Sequence, residues 1–138
     1  MNGNNGGANQ YRQMQIKTAS KPQILLMLYE AAIQNLKKAQ EALEKKDLAT
    51  KGVCIGKAHD IVNELTATLN FEVGGAVARD LERLYNFCTE QLVKANIENS
   101  VDCLKAVQKT LETLLEGWRA AVIQVNKESA GKPTGTSG

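Results

Sequence analysis

The sequence predicts an all-α protein: an antiparallel up-down four-helix bundle with an N-terminal cap segment. Three observations carry that reading. Ala, Leu, Glu, Lys and Gln dominate the middle of the chain, while aromatics are few and proline occurs twice, a profile that suits helices. Four stretches repeat apolar residues at helical period. The connections between them are short, which makes successive helices antiparallel neighbours.

The first helix is expected from about Pro22 to Lys46. Ser20 and Gln23 have the spacing of a capping box, and Pro22 suits a first turn, where its missing N–H has no intrahelical partner. Asp47 is a good N-cap for the second helix, which runs to about Phe71 and contains Gly52 and Gly56. Each glycine costs ~1 kcal/mol against alanine in a helix interior. Either the backbone packs closely there, or that turn of helix is soft and yields to a partner. The Gly74-Gly75 pair breaks the pattern, and a third helix is expected from about Ala76 to Asn96. Asn99 or Ser100 then caps a fourth, ending near Asn126. The bundle proper is 20–127. The Gly/Asn-rich residues 1–10 and the tail after 127 lack the apolar content to order themselves, so 1–19 and 128–138 are set apart as flexible segments.

The chain has 138 residues and a formal charge of +2. That is enough length for one domain with a core, and too little charge to point to nucleic acid or a membrane surface. No apolar run approaches the ~18 residues of a membrane span, and the N-terminus has no signal-peptide pattern. Cys54, Cys88 and Cys103 are an odd set without CxxC spacing, expected to be buried thiols in a reducing compartment. A cytoplasmic protein without membrane insertion is the expectation.

At 100° per residue the apolar positions gather into four stripes. They are Leu25, Leu28, Ala32, Leu36, Ala39 and Leu43 on the first helix, and Ile55, Ala58, Val62, Leu65 and Leu69 on the second. On the third they are Val77, Leu81, Leu84, Cys88, Leu92 and Ala95. The fourth stripe is the longest, from Leu104 through Val107, Leu111, Leu114, Leu115, Trp118 and Val122 to Val125. Some apolar residues are left over. Leu26, Tyr29 and Ile33, spaced i, i+3, i+7, form a second ridge on the first helix, with Met27 on the other flank. Phe87, Val93 and Ile123 lie off the stripes of the later helices. Such a ridge needs a cover: the chain's own N-terminal segment, a second copy in a homodimer, or a partner's helix. Tyr11, Met14 and Ile16 in "YRQMQIK" are the candidate cap, weakly held and displaceable by a competing ligand.

Residues that carry chemistry are sparse. His59 is the only histidine, too few for a ferritin-like di-metal site, and Cys54 and His59 point to different faces, against zinc. Histidine phosphotransfer domains are also four-helix bundles, but "HDIVN" lacks their usual lysine and glycine after the histidine, and Asp60 would repel phosphate. No nucleotide loop or nucleophile elbow occurs. No enzyme and no cofactor are expected.

Three stretches, in order, carry a resemblance. "YRQMQIKTASKPQILLMLYEAAI" resembles the opening signature of the flagellar secretion chaperone FliS family, matching at Thr18, Ala19, Ser20, Leu25, Met27, Leu28, Tyr29 and Glu30. "AHDIVNELTATLNFEVGGAVARDLERLYNF" and "QLVKANIENSVDCLKAVQKTLETLLEGW" resemble two later regions of that family. Together they span about residues 10–125. One departure is local: Lys21 stands between Ser20 and Pro22, where the family has proline directly after serine. The resemblance implies a non-enzymatic chaperone for the disordered C-terminal segment of flagellin. It would prevent premature polymerisation and deliver its client to components of the flagellar export gate. The ridge Leu26, Tyr29 and Ile33, with Met27 and Phe87, is then the expected client surface, and Tyr11, Met14 and Ile16 its cap. The "TLNFEVGG" turn is a second candidate contact.

Overall fold

The computed structural model describes residues 20–131. Four helices follow one another: α1 (Lys21–Glu44), α2 (Leu48–Ala67), α3 (Phe71–Glu98) and α4 (Val101–Gly131). α1 packs beside α2 and α4, and α3 packs beside the same two, closing a ring around one core. The expected four-helix bundle is therefore the fold. The cap residues Tyr11, Met14 and Ile16 lie outside the described residues.

Local sequence sets the helix ends. Ser20 Oγ accepts from the Gln23 N–H at 3.4 Å, and Gln23 Oε1 accepts from the Ser20 N–H at 3.2 Å. This is the reciprocal box its spacing predicts, so Lys21 between Ser20 and Pro22 leaves the cap intact. Asp47 starts α2 by accepting from the Thr50 N–H at 3.1 Å and from the Thr50 hydroxyl at 2.6 Å. Between α3 and α4 the two polar residues divide the work. Asn99, in the left-handed region at φ 52°, ends α3, and the Ser100 hydroxyl accepts from the Cys103 N–H at 3.2 Å to start α4.

α3 begins five residues earlier than the sequence suggests. Asn70 Oδ1 accepts from the N–H groups of Glu72 and Val73, both at 3.1 Å, and nucleates a turn ahead of the glycines. The expected break survives as a kink at Gly75, whose φ of 51° and ψ of −121° are non-helical and cost little only without a Cβ. Its neighbour is small for another reason: a Cβ on Gly74 would lie 2.9 Å from the Ala78 Cβ. α4 also outruns expectation, because the first strong stop after Trp118 is Gly131 with Pro133 beyond it.

The core corrects the expected stripes. On α3 the buried set is Ala78, Leu81, Tyr85, Cys88, Leu92 and Ala95, alternating steps of three and four residues, as a left-handed bundle seam requires. Val77 and Leu84, expected inside, are 63% and 38% exposed. Tyr85 takes the central place because its hydroxyl finds a partner there. On α4, Val125 is exposed rather than buried. The three cysteines are buried free thiols, as expected. Burial pushes the Cys88 thiol up to about 12, which keeps it protonated and unreactive.

The two α2 glycines do not mark close packing. A Cβ on Gly52 would make ordinary contact with Asn96 Oδ1 at 4.0 Å, and one on Gly56 would meet nothing within 4 Å. Gly56→Ala should therefore stabilise the protein by about 0.5–1 kcal/mol, the helix-propensity difference. A higher urea midpoint at unchanged m-value would register it, and a lower one would show that the position needs glycine.

One buried charge is also part of the frame. Lys51, only 7% exposed, donates from Nζ to the Asn96 carbonyl at 3.0 Å and to Asn99 Oδ1 at 2.8 Å. It ties α2 to the C-terminus of α3, where a cation meets otherwise unpaired carbonyls.

Candidate functional site

An open apolar groove of about 710 Å³ runs between the start of α1 and the second half of α4, with Thr68 at the end of α2 below it. Its walls are Ile24, Leu25 and Leu28 from α1 and Trp118, Val122 and Val125 from α4, with Lys21 and Asn126 at its polar rim. At this end of the bundle the Gly75 kink interrupts α3, while α4 runs on to Gly131. Val73 and Val77, on the first turns of α3, are 86% and 63% exposed instead of packing across the opening.

The groove is anchored from within the core. The Trp118 indole Nε1–H donates to the Tyr29 hydroxyl at 3.1 Å. That hydroxyl is also hydrogen-bonded to the Tyr85 hydroxyl from α3. The two tyrosine rings lie 6.4 Å apart at 50°. Burial raises the pKa of both tyrosines, against hydrogen bonds from Tyr85 and Trp118 that lower Tyr29. Both hydroxyls therefore stay neutral around pH 7 and serve only as hydrogen-bonding groups.

The predicted ridge is not a free surface. Tyr29 is 0% and Ile33 5% exposed, both within the core cluster, and Leu26 is half-buried against it. The physical reason is the ring. Each helix touches two neighbours, so its apolar sector is wider than a single stripe, and the flank bearing Ile33 faces α4. There Ile33 lies with Leu115 in a small recess of about 270 Å³, beside the Arg119–Glu30 ion pair at 3.1 Å. Met27 is half-buried and Phe87 is 39% exposed on α3; neither lines the groove. Of the residues that do line it, helical period places Leu25, Leu28, Trp118, Val122 and Val125 in the core stripes and leaves Ile24 without a role. A signal was available: the α4 stripe is longer than that of any helix able to cover it. The "TLNFEVGG" turn sits at this same end of the bundle, with Phe71 and Val73 exposed.

Among the described residues no group of three or more His, Cys, Asp or Glu side chains could hold a metal, and no helix is long and apolar enough to cross a membrane. His59 Nδ1 is paired with the Asn63 side-chain amide at 3.1 Å, one turn away. A concave, mostly apolar groove with a sparse polar rim suits an apolar segment of a partner. Fold and groove together define a helical binding module. Comparison with known proteins narrows the class. The family model of the flagellar protein FliS matches residues 3–125. A flagellar secretion chaperone of Pseudomonas aeruginosa is 33% identical over 113 residues, covering 79% of this chain and 90% of that protein. One of Salmonella typhimurium is 32% identical over 118 residues, covering 82% of this chain and 87% of that protein. A crystal structure of a bacterial flagellar chaperone superposes with a TM-score of 0.71 at 22% identity, over 85% of this chain and 98% of the other, which supports the fold. The chain belongs to the flagellar protein FliS family.

Proposed function

We propose that this chain is a non-enzymatic export chaperone that holds the C-terminal segment of flagellin in the groove between α1 and α4. It does so in the bacterial cytosol, keeps its client from polymerising, and hands it to components of the flagellar export gate. The groove is the observation that carries this reading, together with membership of a family whose relatives are flagellar secretion chaperones. A disordered client spends ~2–5 kcal/mol of its interaction energy on becoming ordered. Burial of client side chains against Ile24, Leu25, Val122 and Val125 offsets that cost at ~25 cal/mol per Å². Tyr11, Met14 and Ile16, a few residues before α1, are proposed to cover the same apolar surface until a client displaces them.

Calorimetric titration with a peptide of the flagellin C-terminal region tests the proposal. Saturable binding with a negative heat-capacity change, the mark of apolar burial, is expected. Absence of binding to that peptide, with binding to another part of flagellin, would overturn it.

A further inference from the structure

We infer that the Tyr29 hydroxyl is a positioning group for the groove: by accepting the Trp118 indole N–H it fixes the aromatic face on which the client packs. The inference rests on the groove reading above. Trp118 is the large side chain of the groove wall and belongs to both worlds: it lines the groove and packs against the core. An indole has a polar edge that needs an acceptor when it is not solvated. Tyr29 Oη supplies that acceptor from α1, while Trp118 stands on α4. One hydrogen bond therefore links the two walls of the groove and sets the plane of the ring between them.

Tyr29 is suited to this role and unsuited to contact with a client. It is 0% exposed, so no client reaches it without opening the bundle. Its ring is held by tilted packing on the Tyr85 ring, which a phenylalanine at that position would keep. A phenylalanine would fill the same volume and leave the indole N–H without its acceptor. Trp118 would then turn toward solvent to satisfy that N–H, which narrows or misshapes the groove. Tyr85 has a hydroxyl in the same network but makes no bond to Trp118. The two tyrosines thus separate positioning from plain stability.

The experiment compares Tyr29→Phe with Tyr85→Phe in the full chain. Trp118 is the only tryptophan, so its emission, anisotropy and acrylamide quenching report on its position without any client. Tyr29→Phe is expected to red-shift the emission, lower the anisotropy and weaken a flagellin C-terminal peptide by about three- to tenfold, the range of one lost hydrogen bond. Tyr85→Phe, with the Trp118 bond intact, is expected to keep emission and affinity near wild type while losing comparable stability to urea. A double-mutant cycle on a Trp118→Phe background adds a second arm, in which Tyr29→Phe is expected to cost no further affinity. Wild-type emission in Tyr29→Phe, or equal affinity losses in the two tyrosine variants, would overturn the inference. Those outcomes leave the groove reading standing. That reading is decided separately, by substitutions at Val122 and Val125.

Discussion

Replacing Val122 and Val125 together by aspartate is expected to weaken a flagellin C-terminal peptide by at least about a hundredfold, with the helical CD spectrum unchanged. Both side chains line the groove, and neither belongs to the core cluster. Burial of an aliphatic side chain is worth about 1.5–3 kcal/mol when complete. Losing partial burial at two positions, and placing two carboxylates where an apolar client must lie, exceeds the ~2.7 kcal/mol of a hundredfold change. The fold survives because Val125 is already more than half exposed. Calorimetry on the double variant measures the effect. An affinity within a few-fold of wild type would place the client elsewhere on the bundle.

The second large effect concerns stability. Lys51→Met is expected to cost about 1.5–3 kcal/mol, the range for hydrogen bonds made by a charged group. Methionine keeps the length and much of the packing of the stem but donates nothing. The Asn96 carbonyl and Asn99 Oδ1 lose their shared donor, at the place where Asn99 holds a left-handed conformation to end α3. Urea unfolding would read the loss as a lower midpoint. Peptide affinity should not change, because the α3–α4 turn is at the opposite end of the bundle from the groove. A stability within about 0.5 kcal/mol of wild type would mean that the latch contributes no net energy.

What could be read from the sequence follows from how far each determinant reaches along the chain. The Ser20–Gln23 box, the Asp47 cap and the Gly74-Gly75 break act within four residues, so local rules found them. The four helices and their antiparallel order followed from period and loop length, and the family from three motifs in the right order. The groove depends on something no single helix contains. On a helical wheel Val122 and Val125 look like Leu104 and Leu111. They differ in what surrounds them: Leu104 and Leu111 are fully buried, whereas Val122 is half-buried and Val125 exposed. The burial of Tyr29 is hidden from the helical wheel for a related reason. Its hydroxyl partners stand 56 residues away at Tyr85 and 89 away at Trp118, and without them a tyrosine reads as a boundary residue. Ile33 reads as part of a separate ridge because angle from one stripe ignores the second neighbour that a ring bundle supplies. Lys51 was legible in principle: it lies four residues before Ile55 and seven before Ala58, on the apolar face, which is an anomaly for a lysine.

The run Ile24–Tyr29 that begins α1 shows how these levels combine. Its six consecutive apolar residues serve different surroundings. Tyr29 fills the core, Leu26 packs against it, and Leu25 and Leu28 both support the core and line the groove, whose wall Ile24 extends. The apolar surplus therefore has two uses, a second helix contact and an exposed wall.

The most direct test is amide hydrogen exchange of the full chain with and without a peptide of the flagellin C-terminal region. Added protection is expected in the first two turns of α1, around residues 21–28, and in α4 around residues 118–126, with little change at the Lys51 end of the bundle. Protection concentrated instead on the outer face of α2 and α3, with 21–28 and 118–126 unchanged, would contradict the groove reading.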